Sequence, residues 1–337
     1  ETRVVVHFYI FSKKLTLKDN LVDAKIHAFS NPIKGIVALH KTLKTIRPDV
    51  VLTSIVDLNL IIVFFSFLFP SKTKVVIREA ADTESSLRLS RYPRITKILY
   101  RKLYPKADHI ICLSKGMREK MLKILEPCTG NISVISNGVS NHRMGHLPIS
   151  LQQDKMVLAV GRLNHEKGFD KLVKAFYQFV KTDEGKGYHL LIVGDGPLRD
   201  ELQMDINALG LESCIHLKGE VRDPMPFYIQ ARFLVLPSRF EGVSNVMLEA
   251  LVNGVPVLAT KSKTSAEYYI DESNGVLVDC CDDLEIFSGL QMIEANLGRY
   301  DRNAIAEKWR SVIGLDVIAD KYVDILEEIA ATADEIY

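Results

Sequence analysis

Glu241 and Glu249 stand eight positions apart in the stretch FLVLPSRFEGVSNVMLEALVNGVPVLA, which begins at Phe233 and ends at Ala259. The stretch reads as strand, loop, helix, strand. Its first four residues are an apolar run of the kind a buried parallel strand uses, and Pro237 and Gly242 punctuate the loop that follows. Ser244 or Asn245 caps a helix whose apolar positions are Val246, Leu248, Ala250, Leu251 and Val252, with Gly254 just past its end. Gly242 and the amides of Val243, Ser244, Asn245 and Val246 thus sit at the positive end of a helix, a ready place for a phosphate. A carboxylate on each side of such a nest does not bind the phosphate, but it can hold hydroxyl groups of what the phosphate links. That chemistry is a nucleotide-sugar site, with the diphosphate on the amides, the ribose on one glutamate and the sugar on the other. Two isolated glutamates are more simply solvated surface residues, so the reading depends on what the chain places around them.

Three further loops follow predicted strands. In GRLNHEKG, residues 161–168, Gly161 lets backbone come close to a ligand, and Arg162 and Lys167 put two cations at the same sheet edge. A departing diphosphate gains charge and needs such cations. The loop has neither G-x-G-x-x-G nor Walker A spacing, which removes the dinucleotide and ATP motifs. Gly194 and Gly196 close the next strand and open a helix at Leu198. The loop of residues 219–224, with Val221 and Arg222, has backbone that could pair with a base. Ser136-Asn137-Gly138-Val139 is a turn sequence. Each of these taken alone is explained equally well as a turn or a solvated loop.

The elements that must position these loops alternate. In the first half, strands are expected at residues 3–10, 49–55, 74–77, 108–113 and 132–135. Helices are expected from the apolar spacing of Ile33, Ile36, Val37, Leu39, Leu43 and Ile46, at 58–69 (buried, ended by Pro70), at 92–104 (basic) and at 114–125. Residues 140–153 turn polar and read as a linker. A second series follows, with strands at 156–160, 190–193, 215–217, 233–236, 255–259 and 276–278. Its helices include one marked by Phe169, Leu172, Val173, Phe176 and Val180, one at 198–209 and a last one from about residue 315 to 337. Such alternation implies doubly wound parallel sheets, and ligands bind beyond the carboxyl ends of their strands. Two Rossmann-like α/β domains facing each other across a cleft are therefore expected.

The 337 residues suffice for two cores, and a hydrophobic fraction of 47% with 25% charged is that of a globular protein. A net charge of +1 gives no general case for nucleic acid. Five cysteines, Cys280 and Cys281 adjacent, show no metal-ligand spacing and fit a reducing cytoplasm. No signal peptide is visible, and the apolar run at 58–69 is too short to span a bilayer. Asp279, Asp282 and Asp283 are read as a solvated loop, not a metal cluster.

The motifs taken together, Gly161-Arg162 with Lys167, Val193-Gly-Asp-Gly-Pro197, and Glu241-x7-Glu249 followed by Ala250 and Gly254-Val-Pro256, resemble the donor half of the retaining glycosyltransferases of family 4. Ser136-Asn-Gly-Val139 is similar to that family's asparagine-glycine turn before the linker. The match of order and spacing covers roughly residues 108–337.

The resemblance implies the GT-B architecture, with an acceptor-side domain at 1–145, a nucleotide-sugar donor domain at 146–314 and a helix at 315–337 that crosses back to the first domain. It implies that Arg162 and Lys167 neutralise the donor diphosphate and that Glu249 binds the ribose. Glu241 would face the transferred sugar, the amides after Gly242 would hold the distal phosphate, and the residues about Val221 and Arg222 would meet the base. It also implies metal independence, no cofactor, a nucleotide sugar (foremost a UDP-sugar) as donor, and a glycan or lipid-linked acceptor in cell-surface polysaccharide or glycoconjugate synthesis. A UDP-sugar epimerase of the same architecture and an inactive sugar-nucleotide-binding protein are the alternatives. Many members begin with a strand and glycine-rich loop, which would lie before Glu1. Many also carry a His where this chain has Arg78-Glu79-Ala80-Ala81-Asp82. Arg78, Glu79 and Asn137 are the acceptor-side candidates.

Residues 88–123 carry eleven basic side chains against Asp108 and Glu119, with Tyr92, Tyr100 and Tyr104 interleaved. Anionic lipid attracts such a surface, so peripheral binding at the inner face of the membrane is expected, and a solvated helix face is the alternative. Nucleic acid is not expected, since no recognition module accompanies the charge.

Overall fold

The structure is a computed structural model and describes residues 7–10, 25–28, 32–80, 82, 87, 90, 92–126, 131–140, 155–261 and 266–332. Two parallel sheets organise it. The first has the order β3 (Val50–Ser54), β4 (Lys74–Glu79), β5 (His109–Cys112), β6 (Ile132–Val134). A separate parallel pair, β1 (His7–Ile10) and β2 (Lys25–Ala28), precedes it. The second sheet has six strands in the order β12 (Gly275–Val278), β11 (Val257–Thr260), β10 (Phe233–Leu236), β7 (Met156–Val160), β8 (His189–Val193), β9 (Ile215–Gly219). Counted along the chain that order is 6-5-4-1-2-3, the doubly wound arrangement, and its direction reverses between β7 and β10. The crevice at such a reversal is where ligands of these sheets bind.

Alternation along β4 shows how the first sheet is covered. Val75, Ile77 and Glu79 face the core built with Leu60, Val63, Leu103 and Met117 of the crossover helices. Val76 points the other way and packs with Ile111 and Ile135 under the last helix, Leu315–Ala331. That helix presents Ile318, Tyr322, Ile325, Leu326 and Ile329, a stripe at helical spacing, so its apolar face is buried on the first sheet although its sequence follows the second. The chain turns at Gly314, where Val139 N donates to Ile313 O and Leu315 N to Val139 O, both at 2.9 Å. The asparagine-glycine turn thus docks where the last two helices meet.

Several boundaries differ from the sequence reading. β4 runs two residues beyond Ile77 and takes in Arg78 and Glu79. The helix expected at 58–69 is Val56–Phe65 followed by a short 3₁₀ turn, Ser66–Leu68. It is not wholly buried: Asn59, Leu60, Ile62 and Val63 face inward, while Phe64 and Phe67 face out. Uniform apolarity hides which side faces solvent, because such a helix has no polar stripe to mark it. The basic helix is Pro93–Leu103, and Tyr100 and Tyr104 are fully buried rather than interleaved with the surface charges. The strand expected at 3–10 is described only at His7–Ile10. No helix among the described residues is long and apolar enough to cross a membrane.

Candidate functional site

The loops leaving β7 and β10 flank the reversal point, and they are held in register by polar contacts that the sequence did not advertise. Arg239 makes a two-pronged ion pair with Asp170, at 2.8 and 2.7 Å, and donates to His165 O at 2.7 Å. Its own amide donates to Glu166 O at 2.8 Å. Gly168, at φ +69°, lies so close to Pro237 that any Cβ there would stand 2.0 Å from the Pro237 carbonyl oxygen. The next loop is as tightly joined. Gly194 has φ +137° and no room for a Cβ against Gly161 O, and Leu163 N and Leu198 N close the two loops on each other at 3.0 and 2.9 Å. Gly194 and Gly196 therefore serve loop-to-loop packing here, whereas a Cβ on Gly161 would meet nothing nearer than the Phe169 ring at 3.4 Å.

This arrangement brings Lys167 to Glu241. Lys167 Nζ stands 2.6 Å from Glu241 Oε2, and Ser238 Oγ donates to the same oxygen at 3.0 Å. A cation from the β7 loop and a carboxylate from the β10 loop thus meet over the reversal point. Arg162 lies in the same β7 loop, is exposed and has no ion-pair partner among the described residues. Gly242, Val243 and Ser244 lead into the helix Asn245–Val252, where Ser244 Oγ accepts from Met247 N. The amides of Asn245 and Val246 come before the first carbonyl one turn back, so the helix itself offers them no acceptor.

Glu249, one turn further, accepts a hydrogen bond from Tyr228 Oη at 2.7 Å. Burial holds its carboxyl above the usual carboxylate range. The tyrosine opposes that shift, and Asp223 adds to it. Tyr228 is on the short helix Met225–Gln230 next to Val221 and Arg222, of which Arg222 is exposed. Tyr228 is the site residue sequence reasoning missed. An aromatic between two prolines and a strand carries no motif, and only the fold shows that it reaches Glu249. Arg302 props the back of the helix by donating to the carbonyls of Gly254, Ala231 and Tyr228 at 3.1, 3.0 and 3.4 Å.

A cavity of about 450 Å³ opens between the two domains. It is lined by Arg78, Ala80 and residues 137–140 from the first and by Asn245 and Glu249 from the second. Arg78 donates to Asn137 Oδ1 at 2.5 Å, to Tyr322 Oη at 2.9 Å and to Ser54 Oγ at 3.3 Å. Asn137 Nδ2 in turn donates to Asn245 Oδ1 at 2.6 Å, so a polar chain crosses the cleft. Arg78 and Asn137 are therefore brought to the donor side. Lys167 and Glu241 are not among the residues that line this cavity.

Glu79 is not on that wall. Strand alternation turns it from its neighbour Arg78 into the core, where it is 1% exposed and accepts from Tyr104 Oη at 2.7 Å and Tyr100 Oη at 3.5 Å. Its assignment as an acceptor contact is corrected accordingly. The aspartates of residues 279–283 hold structural partners: Asp279 pairs with Lys261, Asp282 caps the helix Asp283–Asn296, and Asp283 pairs with Lys171 at 3.1 Å.

The family model described as Glycosyl transferases group 1 matches residues 154–293, and the one described as Glycosyltransferase Family 4 matches residues 22–143. The chain is built from two glycosyltransferase domains. Two parallel-sheet α/β domains paired in this order make the GT-B fold.

It is 32% identical over 228 residues to the N-acetylgalactosamine-N,N'-diacetylbacillosaminyl-diphospho-undecaprenol 4-alpha-N-acetylgalactosaminyltransferase of Campylobacter jejuni, across 66% of this chain and 61% of that protein. A second C. jejuni enzyme, a GalNAc-alpha-(1->4)-GalNAc-alpha-(1->3)-diNAcBac-PP-undecaprenol alpha-1,4-N-acetyl-D-galactosaminyltransferase, is 27% identical over 289 residues, 83% of this chain and 75% of its own length. Among solved structures, Anabaena HepE in complex with UDP superposes with a TM-score of 0.72 over 90% of this chain and 86% of that one, at 18% identity. At that identity the likeness concerns the fold. The chain spans about 61% of the length of the first relative.

Proposed function

We propose that the chain moves a sugar from a nucleoside-diphosphate sugar, foremost a UDP-sugar, to a hydroxyl of a glycan or lipid-linked acceptor in surface-glycan synthesis. We take the anomeric configuration to be retained and the place of action to be the cytoplasmic side of the membrane. The observation that carries this reading is the meeting of Lys167 and Glu241 at 2.6 Å over the reversal point of the second sheet. The matched families, the diphospho-undecaprenol acceptors named for the two C. jejuni relatives and the UDP bound by HepE support it.

In this reading Lys167 and Arg162 take the charge that develops on the departing diphosphate, and the amides after Gly242, from Val243 to Val246, hold its distal phosphate. Glu249 receives the ribose hydroxyls, with Val221 and Arg222 beside the base. Glu241 faces the transferred sugar, and Arg78 and Asn137 guide the acceptor from the other wall. With the charge work done by side chains, no metal ion is required, so transfer is expected to proceed unchanged in EDTA.

The test is product analysis. Incubation with UDP-sugars and a lipid-linked acceptor should yield a glycosylated acceptor whose new linkage, read by NMR, keeps the donor's anomeric configuration. Free epimerised UDP-sugar, UDP binding without turnover, or an inverted linkage would each overturn the corresponding part.

Tyr228 gives a finer check. It fixes one oxygen of Glu249 and leaves the other for the ligand, so Tyr228→Phe should raise the donor KM by about tenfold, the worth of one hydrogen bond to a charged group. The same change should leave kcat near wild type and lower the melting temperature by a few degrees, since the bond it removes is buried and already present without ligand. An unchanged KM would remove Tyr228 from the site.

A further inference from the structure

The helix Pro93–Leu103 has an apolar arc that the protein covers only in part. Tyr100 and Leu103 are buried in the core of the first domain. Continuing round the helix, Leu99, Ile95 and Ile98 carry the arc into solvent, with Ile95 57% and Ile98 55% exposed. Beside them stand Arg94, Lys97, Arg101 and Lys102, and the helix holds no acidic residue. Such a face is apolar at its centre, basic at its margin and free of negative charge. The helix Val56–Phe65 packs alongside, and its Phe64, 55% exposed, makes edge-to-face contact with Phe67, 74% exposed, of the 3₁₀ turn that follows. Tyr100 reaches Glu79 at the carboxyl end of β4, so the helix lies at the sheet edge that faces the cleft.

Two other basic residues of the run, on the helix Lys115–Leu125, have partners elsewhere. Lys120 pairs with Asp82 at 3.0 Å, Arg118 donates to Ile132 O at 3.2 Å, and Glu119 accepts from Tyr268 at 3.3 Å.

We infer that this face, centred on Ile95 and Ile98, is a docking surface for an anionic lipid bilayer. The apolar side chains enter the headgroup boundary and Arg94, Lys97, Arg101 and Lys102 meet the lipid phosphates. The charge selects the occupant: isoleucines alone would suit any apolar partner, but a wholly basic margin matches a surface of uniform negative charge. The inference stands apart from the donor chemistry, since none of these residues lines the cleft cavity.

The experiment is flotation of the chain with vesicles of phosphatidylcholine alone and of phosphatidylcholine with phosphatidylglycerol, at low and high salt. Binding is expected to the anionic vesicles at low salt and to weaken at high salt. The triple variant R94Q/K97Q/R101Q should lose roughly a hundredfold in partitioning. The variant I95S/I98S should lose about tenfold. All these side chains are exposed, and UDP binding measured on the same variants should match wild type. Loss of UDP binding across all proteins would count against the donor reading and leave this one intact. Absence of wild-type binding to anionic vesicles, or variants that bind as wild type does, would overturn the inference.

Discussion

Lys167→Ala should fold and fail to transfer. Lys167 is the one cation of the β7 loop that the structure fixes against the β10 loop, 2.6 Å from Glu241. If a diphosphate departs at this point, the lysine meets charge that grows during the reaction, and loss of one such group typically costs 10²–10³ in rate. The stability cost is small by comparison. The pair is about one-fifth exposed, and its contribution to folding is of the order of 1 kcal/mol or less once solvent screening is counted. Glu241→Ala should lose transfer to a similar degree, because Glu241 holds the lysine in place and, in the proposed reading, faces the sugar. The double variant should be little worse than either single one, since residues that act as a unit are not additive. Arg162→Ala should also abolish transfer, with no ion pair among the described residues to be broken. Initial rates with a UDP-sugar, set beside melting temperatures, decide the matter. Wild-type turnover in Lys167→Ala, or a rate loss matched by unfolding, would refute the role assigned to this pair.

How much of this was legible before the structure depends on what each feature leaves in the sequence. The second sheet was legible strand by strand, because a strand buried on both faces is an unbroken apolar run, as in Phe233–Leu236 and Met156–Val160. The close approaches at Gly168 and Gly194 were only half legible: the glycines stand out at the strand ends, but a turn explains them as well as the loop-to-loop contact that leaves no room for a Cβ. Contacts between side chains far apart in sequence were not. Nothing near Arg239 announces Asp170, and Tyr228 reaches Glu249 through the turn of a helix of six residues. Arg78 and Glu79 show a subtler limit. They are adjacent, and both were read as facing an acceptor. In a strand, adjacent residues face opposite ways, so once β4 extends through both, one must enter the core. Which one enters was settled by Tyr100 and Tyr104, whose hydroxyls wait on the inner side. In the sequence those same tyrosines look like part of the basic surface, because they recur within the basic run.

The buried Glu79 leads to the second large expected effect. Burial raises its carboxyl from an ordinary 4.5 to about 7. The Tyr104 and Tyr100 hydroxyls pull the other way, and Asp82 adds a smaller push upward. Among the described residues Oε1 has no partner, so an ionised carboxylate there would leave charge unmatched in an apolar setting. The thiol of Cys112, paired across the strands with Glu79, is itself pushed up to about 12, by burial first and then by the glutamate, and so does not ionise to compete.

The sign follows from proton counting. Between pH 4.5 and 7 the folded protein holds a proton on Glu79 that the unfolded chain has released, so stability falls as pH rises across that window. The total is about 3 kcal/mol, at roughly 1.4 kcal/mol for each unit of difference. Glu79→Gln mimics the protonated form and removes the slope. The variant should therefore gain on wild type by about 3 kcal/mol between pH 4.5 and pH 8. Urea unfolding of the two proteins at pH 5 and pH 8 measures this directly. Equal slopes in the two proteins would mean that the carboxyl is matched by a partner that keeps it ionised, and the cause assigned to its shift would fall with it.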